Sequence, residues 1–168
     1  SCRLINRKGI HNFLFSLLHL KNRENLEVNI AGEGPLKRVL VYYSKKFLKD
    51  ININFLGFVG KKDLSRLYSE ANLFVLPSST EGVSLALLEA LSSGCLCIVS
   101  TLDVPKKLKK HVKFVRYGDR MGMANSIDEI ISEEEKYLSF KSDSTKFVRE
   151  NFSWEKTASQ YINLFNKQ

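Results

Sequence analysis

The sequence predicts an α/β domain with three layers, in which helices cover both faces of a mostly parallel sheet of about six strands, followed by C-terminal helices. Short apolar runs alternate with amphipathic segments along the chain, and several runs stop at a glycine or a proline. Such runs are typical of parallel strands that are buried on both faces. With 168 residues, 43% of them hydrophobic, the chain is long enough to bury a core of its own.

Five segments are predicted to be strands, and the first two residues are interpreted as the end of a sixth. The second segment alternates apolar and polar residues, whereas the third is continuously apolar and stops at Pro77. The predicted strands are Leu26–Ala31, Ile51–Phe55, Leu73–Leu76, Cys95–Val99 and Val112–Arg116.

Helices alternate with these strands, and no strand is predicted after Met121. Pro35 is expected in the first turn of one helix, because its missing N–H group costs nothing there, and Asp63 is expected to cap the next. The predicted helices are Leu36–Leu48, Asp63–Tyr68, Ser84–Ser92, Asp128–Arg149 and Trp154–Phe165.

Composition excludes several classes of protein. No apolar run reaches the roughly 18 to 20 residues that span a bilayer, and the first residues do not resemble a signal peptide. Cys2, Cys95 and Cys97 are expected to be buried, reduced thiols of a cytosolic protein. The net charge of +8 favours anionic partners, but no nucleic-acid-binding motif accompanies it.

The three histidines are not assigned a catalytic role. His11 and His19 are expected at surface positions or at packing positions where their polar atoms are satisfied. His111 follows a run of lysines and has no predicted partner.

The segment Leu76–Gly94 combines three features of a ligand site. The third strand stops at Pro77, a polar loop containing Gly82 leads into a helix, and Glu81 and Glu89 flank the start of that helix. A helix N-terminus can hold a phosphate group, and a carboxylate can accept two hydrogen bonds from a diol. Spacing alone leaves a second interpretation equally open, in which one glutamate interacts with the helix dipole and the other is solvated.

The same segment resembles the signature of retaining glycosyltransferases of the GT-B fold, family four (group 1), in which two glutamates stand eight positions apart. The resemblance implies that Glu89 binds the ribose hydroxyls of a nucleotide sugar and that Glu81 contacts the transferred sugar. The backbone that would approach the diphosphate and the sugar belongs to Gly82, Val83, Ser84 and Leu85.

Four further segments resemble elements of that family in the same order. The first, residues 2–9, is similar to an Arg…Lys element, so Arg3 and Lys8 would neutralise the diphosphate. Ile30–Pro35 resembles a turn of the family, and Asn151–Tyr161 resembles its closing helix. The segment Phe55–Val59 implies that the nucleotide base lies against the backbone of Gly57, Phe58 and Val59.

The resemblance implies the donor-binding half of a retaining enzyme that transfers a sugar from a UDP- or GDP-sugar to a glycan or lipid-linked acceptor, of the polysaccharide, O-antigen or capsule type. Its catalytic residues would be Arg3, Lys8 and Glu81. No metal and no cofactor are expected, because no Asp-x-Asp motif is present and cationic side chains can stabilise the leaving diphosphate.

The domain organisation expected from the resemblance has two parts. Residues 1–150 would form a Rossmann-like nucleotide-sugar-binding domain, and residues 151–168 a helix that packs toward an N-terminal GT-B domain. The chain is interpreted as a fragment of a longer protein, inactive without that domain. The protein is expected in the cytoplasm or at the inner face of the membrane, where an anionic membrane surface would be a further partner.

Two departures from the family pattern are noted. Cys2 stands where the family has glycine, and the loop Thr101–Lys107 lacks the usual glycines and glutamate, so its role toward sugar or acceptor stays undecided. An alternative function is a non-catalytic basic α/β module that binds nucleic acid or an anionic membrane surface. Substitution of Glu81 and Glu89 would separate the two functions.

Overall fold

The predicted alternation of strands and helices is present in the computed structural model, which describes residues 2–100 and 104–165. Short 3-10 segments occur at Asn6–Lys8, Lys106–His111 and Glu134–Tyr137. The strands are β1 (Glu27–Ala31), β2 (Asn52–Gly57), β3 (Leu73–Leu76), β4 (Leu96–Val99) and β5 (Lys113–Phe114). The helices are α1 (Ile10–Leu17), α2 (Lys37–Phe47), α3 (Lys61–Glu70), α4 (Leu85–Ser92), α5 (Arg120–Ser132), α6 (Leu138–Asn151) and α7 (Trp154–Phe165).

The strands form two parallel sheets rather than one. β1 pairs with β2, and β3, β4 and β5 pair in that order, so the prediction of a parallel arrangement is confirmed. The described residues contain five strands, against an expectation of about six. Cys2 and Leu4 donate N–H groups to Ala31 O and Glu33 O, at 3.0 and 2.7 Å, but this segment does not complete a strand.

Strand β4 lies at the centre of the three layers. All four of its residues are buried, and their side chains alternate between two clusters of the core. Leu96 and Ile98 pack with residues of α1 and α5, whereas Cys97 and Val99 pack with residues of α4 and α6. Helices therefore cover both faces of this sheet, as predicted.

The sheet of β1 and β2 packs one face against the core, and its other face carries mostly polar residues together with exposed Leu56. Val28 and Ile30 belong to the core, while the opposite face carries a polar ladder. In that ladder Asn54 Nδ2 donates to Glu27 Oε1 at 3.1 Å and to Asn29 Oδ1 at 3.2 Å. This ladder explains the alternating pattern that marks β2 in the sequence.

Several predicted helix boundaries are wrong. Asp63 lies in the first turn of α3 and does not cap it, since α3 begins at Lys61 after Gly60. Pro35 precedes α2, whose N-cap is Leu36. The long helix predicted over residues 128–149 is two helices, because α5 begins after its cap Asp119, which accepts a hydrogen bond from Gly122 N at 2.8 Å, and ends at Ser132.

Two histidines differ from the prediction. His111 is buried, stacks on Phe147 at 4.4 Å between ring centroids, and places Nδ1 3.2 Å from Ser144 Oγ. His11 is half-buried, and its Nδ1 has no partner among the described residues, so its polar atoms are not satisfied. Burial lowers the pKa of both imidazoles. His19 is exposed, as expected.

The cysteines are free thiols, as predicted, although only two of the three are buried. Cys95 and Cys97 lie in the core, whereas Cys2 is half-buried. Burial raises the pKa of Cys95 to about 11, which keeps this thiol protonated near neutral pH. None of the helices in residues 2–100 and 104–165 is long and apolar enough to cross a membrane.

Candidate functional site

The candidate site lies where the carboxyl ends of β1, β2 and β3 meet the segment that precedes α1. Gly32 N donates to Gly57 O at 2.7 Å, which joins the turn after β1 to the end of β2. Ser79 N donates to Arg7 O at 2.9 Å, which joins the loop after β3 to the segment before α1. In parallel α/β folds, ligands bind at this edge of the sheet.

Gly9 allows the close approach of these two loops. Its backbone has a φ of +67°, and a Cβ atom at this position would lie 1.9 Å from Pro77 O. A side chain is therefore excluded by the left-handed backbone and by the neighbouring carbonyl. The contact positions Lys8, the residue before Gly9, over the loop that follows β3.

Lys8, Glu81 and Ser78 form a partly buried polar cluster. Lys8 Nζ lies 2.7 Å from Glu81 Oε1, and Ser78 Oγ donates to the same carboxylate oxygen at 2.5 Å. The side chains of Lys8 and Glu81 are 19% and 12% exposed, and Ser78 is buried. Screening by water is weaker for such a pair than for one on the surface, so the cluster holds Glu81 in one orientation.

The N-terminus of α4 follows this cluster along the chain. Ser84 caps the helix, with its side chain accepting a hydrogen bond from Leu87 N at 3.3 Å. The amides of Leu85 and Ala86 have no acceptor within the described part of the chain. Gly82 and Val83 are exposed, so an anion could approach these donors.

Glu89 lies apart from the Lys8–Glu81 pair, farther along α4. The residue is exposed, and its carboxylate makes no hydrogen bond or ion pair with the residues that the structure describes. Its position toward α3 is indicated by Tyr68, whose pKa is raised by burial first and then by the charge of Glu89. The structure thus places the two predicted glutamates in different surroundings, one paired and one available.

The end of β2 carries the third predicted group of site residues. Gly57 is buried and has a φ of +69°, and a Cβ atom there would lie 2.7 Å from Glu33 Oε1. Phe58 is 88% exposed, and Val59 is half-buried. This edge therefore presents an aromatic ring and backbone groups to solvent.

Arg3 is exposed in the segment between Cys2 and Leu4, which bonds to the turn after β1. Its guanidinium has no partner in the described ranges, unlike the ammonium group of Lys8. The two predicted cations are consequently in different states, one already neutralised by a carboxylate and one free to pair with an anion.

Sequence reasoning missed Ser78 as a member of the site. Its signal is weak: a serine follows a buried strand end directly and stands three positions before a glutamate. In residues 2–100 and 104–165, no group of three His, Cys, Asp or Glu residues could hold a metal ion. The expectation of a metal-independent enzyme stays a prediction.

The family model described as "Glycosyl transferases group 1" matches residues 1–147. Over 166 residues the chain is 26% identical to the uncharacterized glycosyltransferase MJ1607 of Methanocaldococcus jannaschii, a match that covers 97% of this chain and 43% of that protein. It is 28% identical over 171 residues to the O-antigen chain mannosyltransferase B of Escherichia coli, a match that covers 95% of this chain and 42% of that protein. The chain thus spans less than half the length of these curated relatives.

Solved structures share the fold. The crystal structure of Anabaena Alr3699/HepE in complex with UDP-glucose matches 99% of this chain and 47% of that chain, with a TM-score of 0.85 and 18% identity. The crystal structure of the C-terminal domain of a glycosyl transferase group 1 family protein, LpcC from Francisella tularensis, matches 90% of this chain and 83% of that chain. Its TM-score is 0.81 and its sequence identity 22%. At these identities the likeness concerns the fold.

Proposed function

Since this chain belongs to the group 1 glycosyl transferases, we propose that it holds the nucleotide-sugar donor of a retaining, metal-independent sugar transfer. The observation that carries the proposal is the meeting of Lys8 and Glu81, 73 positions apart in the sequence, at 2.7 Å just before the N-terminus of α4. A cation, a carboxylate and unpaired helix amides in one place suit a ligand that combines a diphosphate with hydroxyl groups.

In the proposed complex the diphosphate is bound by cations and by backbone amides. Lys8 Nζ has three donors, so it can keep Glu81 and still reach a phosphate oxygen, and exposed Arg3 provides a second cation. During transfer the bond between the anomeric carbon and the diphosphate oxygen breaks, and its electron pair goes to that oxygen. The acceptor hydroxyl oxygen forms the new bond to the anomeric carbon, and its proton passes to the departing diphosphate. Cations and amides held in place stabilise the resulting charge without a metal ion.

The sugar and the nucleoside are assigned to the two glutamates. Glu81, held by Lys8 and Ser78, accepts hydrogen bonds from sugar hydroxyls through its remaining lone pairs. The unpaired carboxylate of Glu89 accepts from the ribose hydroxyls. The exposed ring of Phe58 and the backbone of Gly57 and Val59 meet the base.

Two relatives support the choice of donor and acceptor. The Anabaena structure of the same fold contains UDP-glucose, which supports a nucleotide sugar as the donor. The E. coli relative is named for O-antigen chain mannosylation, which supports a glycan or lipid-linked acceptor. Acceptor binding is assigned to a second GT-B domain, and the protein to the cytoplasm at the inner face of the membrane, where its charge of +8 favours anionic lipid.

Calorimetric titration with UDP, UDP-glucose, GDP and GDP-mannose tests the proposal through three variants. Glu89→Ala should weaken binding of the nucleotide and the nucleotide sugar alike, by about tenfold for the loss of roughly 1.4 kcal/mol. Glu81→Gln should weaken binding of the nucleotide sugar but not of the nucleotide, because Glu81 is proposed to contact the sugar. Lys8→Met should weaken both ligands, because both carry the diphosphate.

Glu150→Ala is the matched control, since this residue is exposed on α6. Absence of binding to every ligand, or equal affinities of the Glu89→Ala variant and the unsubstituted chain, would contradict the proposal. Salt-sensitive binding to anionic vesicles or nucleic acid that ignores the glutamate substitutions would favour the basic-module alternative instead.

A further inference from the structure

Helices α1 and α2 share an outer surface on which aromatic rings and cations meet. The ring of Phe15 in α1 lies edge-on to Tyr43 in α2, with 4.6 Å between the centroids, and Tyr43 lies 4.9 Å from Phe47. The guanidinium carbon of Arg120 in α5 lies 4.3 Å from the centroid of Phe15, and Lys46 Nζ lies 5.2 Å from that of Phe47. Rings from two helices therefore form one continuous row with a cation at each end.

The helices that carry this row are basic. Residues 36–49, which include all of α2, contain five lysine or arginine residues and no acidic residue, and α1 contains no acidic residue either. Arg38, Lys45 and Lys46 are exposed and form no ion pair with the residues that the structure describes. With 3.6 residues per turn, these three lie on the side of α2 that faces away from buried Leu40. Their charge is open to an anionic partner.

Apolar side chains of the same surface are exposed. Val39 and Tyr42 are both 63% exposed, and Phe47 is 47% exposed. The hydroxyl of Tyr42 accepts a hydrogen bond from Lys46 Nζ at 3.3 Å. Tyrosine, with an apolar ring and a polar tip, and lysine, with a long alkyl chain, are typical of protein surfaces at the level of lipid headgroups. The basic aromatic face is the name that we give to this surface, defined by Phe15, Arg38, Tyr42, Lys45, Lys46 and Phe47.

We propose that the basic aromatic face docks on an anionic lipid bilayer, with α2 parallel to the membrane surface. The inference rests on the membrane placement proposed above and assigns it to one face of the molecule. The cations of this face are attracted by anionic headgroups, and exposed Val39 and Tyr42 enter the headgroup region. Both helices begin at the edge of the sheet that carries the candidate site, α1 after Lys8 and α2 after Gly34. The docked chain therefore opens its donor site along the membrane surface, where a lipid-linked acceptor is held.

A nucleic acid or a second copy of this chain fits the face less well than a bilayer. Bases bind by stacking on ring faces. Arg120 already lies over Phe15, and Lys46 Nζ lies 5.6 and 5.2 Å from the ring centroids of Tyr42 and Phe47, so a cation occupies one face of each ring. A second copy would bring like charges together, which is unfavourable.

Flotation with vesicles of phosphatidylcholine and about one third phosphatidylglycerol tests the inference, and the chain should bind them but not phosphatidylcholine alone. Joint substitution of Lys45→Gln and Lys46→Gln should weaken binding roughly thirtyfold, because each lysine near an anionic surface contributes about fivefold. Tyr42→Ala, which removes an apolar contact, should weaken it about threefold.

Lys106→Gln together with Lys107→Gln is the matched control. It removes the same charge from the opposite side of the sheet, since the adjacent Leu108 packs in the second cluster of the core and α1 packs in the first. This control should weaken vesicle binding less than about twofold. Equal losses in the two lysine pairs would overturn the inference, because they would show that net charge alone attracts the chain.

The depth of docking is measured by tryptophan fluorescence in vesicles that contain brominated phosphatidylcholine. The signal of Tyr42→Trp should be quenched, whereas that of Phe114→Trp, at an exposed position of β5, should not. Equal quenching of the two variants would overturn the inference. So would tighter binding to a single-stranded oligonucleotide than to vesicles, or a dimer on sedimentation that Tyr42→Ala dissociates.

Nucleotide titration of the same variants keeps this inference separate from the proposed donor site. Each variant should bind UDP and GDP as the unsubstituted chain does, because none of the substituted residues belongs to that site. Nucleotide binding without vesicle binding would refute the docking face alone. Vesicle binding that depends on Lys45 and Lys46, in a chain that binds no nucleotide, would support the face and contradict the donor site.

Discussion

Gly9 brings two distant parts of the chain together at the candidate site. Its backbone lies in the left-handed region, and Pro77 O occupies the space of a side chain. Gly118 has a similar φ of +81°, but a Cβ atom there would meet nothing within 4 Å. Comparison of substitutions at Gly9 and Gly118 therefore separates the cost of backbone strain from the cost of steric exclusion.

We expect Gly9→Ala to lower the free energy of unfolding by about 2 kcal/mol more than Gly118→Ala, because both variants carry the strain and only the first displaces a loop. Urea denaturation monitored by circular dichroism measures the difference. Equal losses in the two variants would show that the loops can separate without cost.

The cluster of Lys8, Ser78 and Glu81 is a second feature set by individual residues. One carboxylate oxygen accepts both hydrogen bonds, so the orientation of Glu81 depends on two partners from different loops. These two hydrogen bonds satisfy the Glu81 carboxylate, whose side chain is only 12% exposed.

At the scale of the element, His111 joins the 3-10 segment Lys106–His111 to α6. Its ring stacks on Phe147, and its second nitrogen, Nε2, is buried without a partner among the described residues. Burial lowers the pKa of His111 first, and the neighbouring charge of Lys110 lowers it further. The folded protein therefore favours the neutral imidazole over the protonated one.

This lowered pKa predicts a dependence of stability on pH. The unfolded chain takes up a proton near pH 6.5 while the folded chain does not, so stability is complete above roughly that pH and falls as the pH drops toward the folded pKa. In His111→Phe, which keeps the stacked ring, the free energy of unfolding should fall less between pH 7.5 and 5.5. Urea denaturation at the two values checks this.

His19→Gln is the control for that experiment, since His19 is exposed. Between pH 7.5 and 5.5, the free energy of unfolding of this variant should fall by as much as that of the unsubstituted chain. His11, whose pKa is also lowered by burial, should account for part of the loss that remains in His111→Phe. An identical loss in His111→Phe and in the unsubstituted chain would contradict the assignment.

At the scale of the whole molecule, β4 holds the two clusters of the core together. Ile98 and the adjacent Val99 are both fully buried, yet they belong to different clusters because side chains alternate along a strand. The two sheets therefore share one core through β4.

We expect Ile98→Ala in the first cluster and Leu91→Ala in the second to destabilise the same cooperative unfolding transition, each by about 2 to 4 kcal/mol. Ile131→Ala, at an exposed position on α5, should change the free energy of unfolding by less than about 0.5 kcal/mol. Circular dichroism in urea measures all three. Two separate transitions, each moved by one variant, would mean that the clusters unfold independently.

Much of the fold follows from local patterns. β3 and α7 have the predicted bounds, and Ser84 caps α4 where the polar loop ends. The sequence-based predictions are wrong where contacts in the folded protein determine the local structure. Asp119 begins α5 earlier than apolar spacing indicates, and the polar ladder on Asn54 gives β1 and β2 one exposed face.

The sequence by itself indicated the alternation of strands and helices, the family, and two glutamates as candidate site residues. These features depend on strand length, helix caps and a motif with glutamates eight positions apart, which are local properties. Only the tertiary structure decided that Lys8 pairs with Glu81, that Ser78 joins them, and that Glu89 stays unpaired. These features depend on how segments distant along the chain approach each other, which no local pattern records.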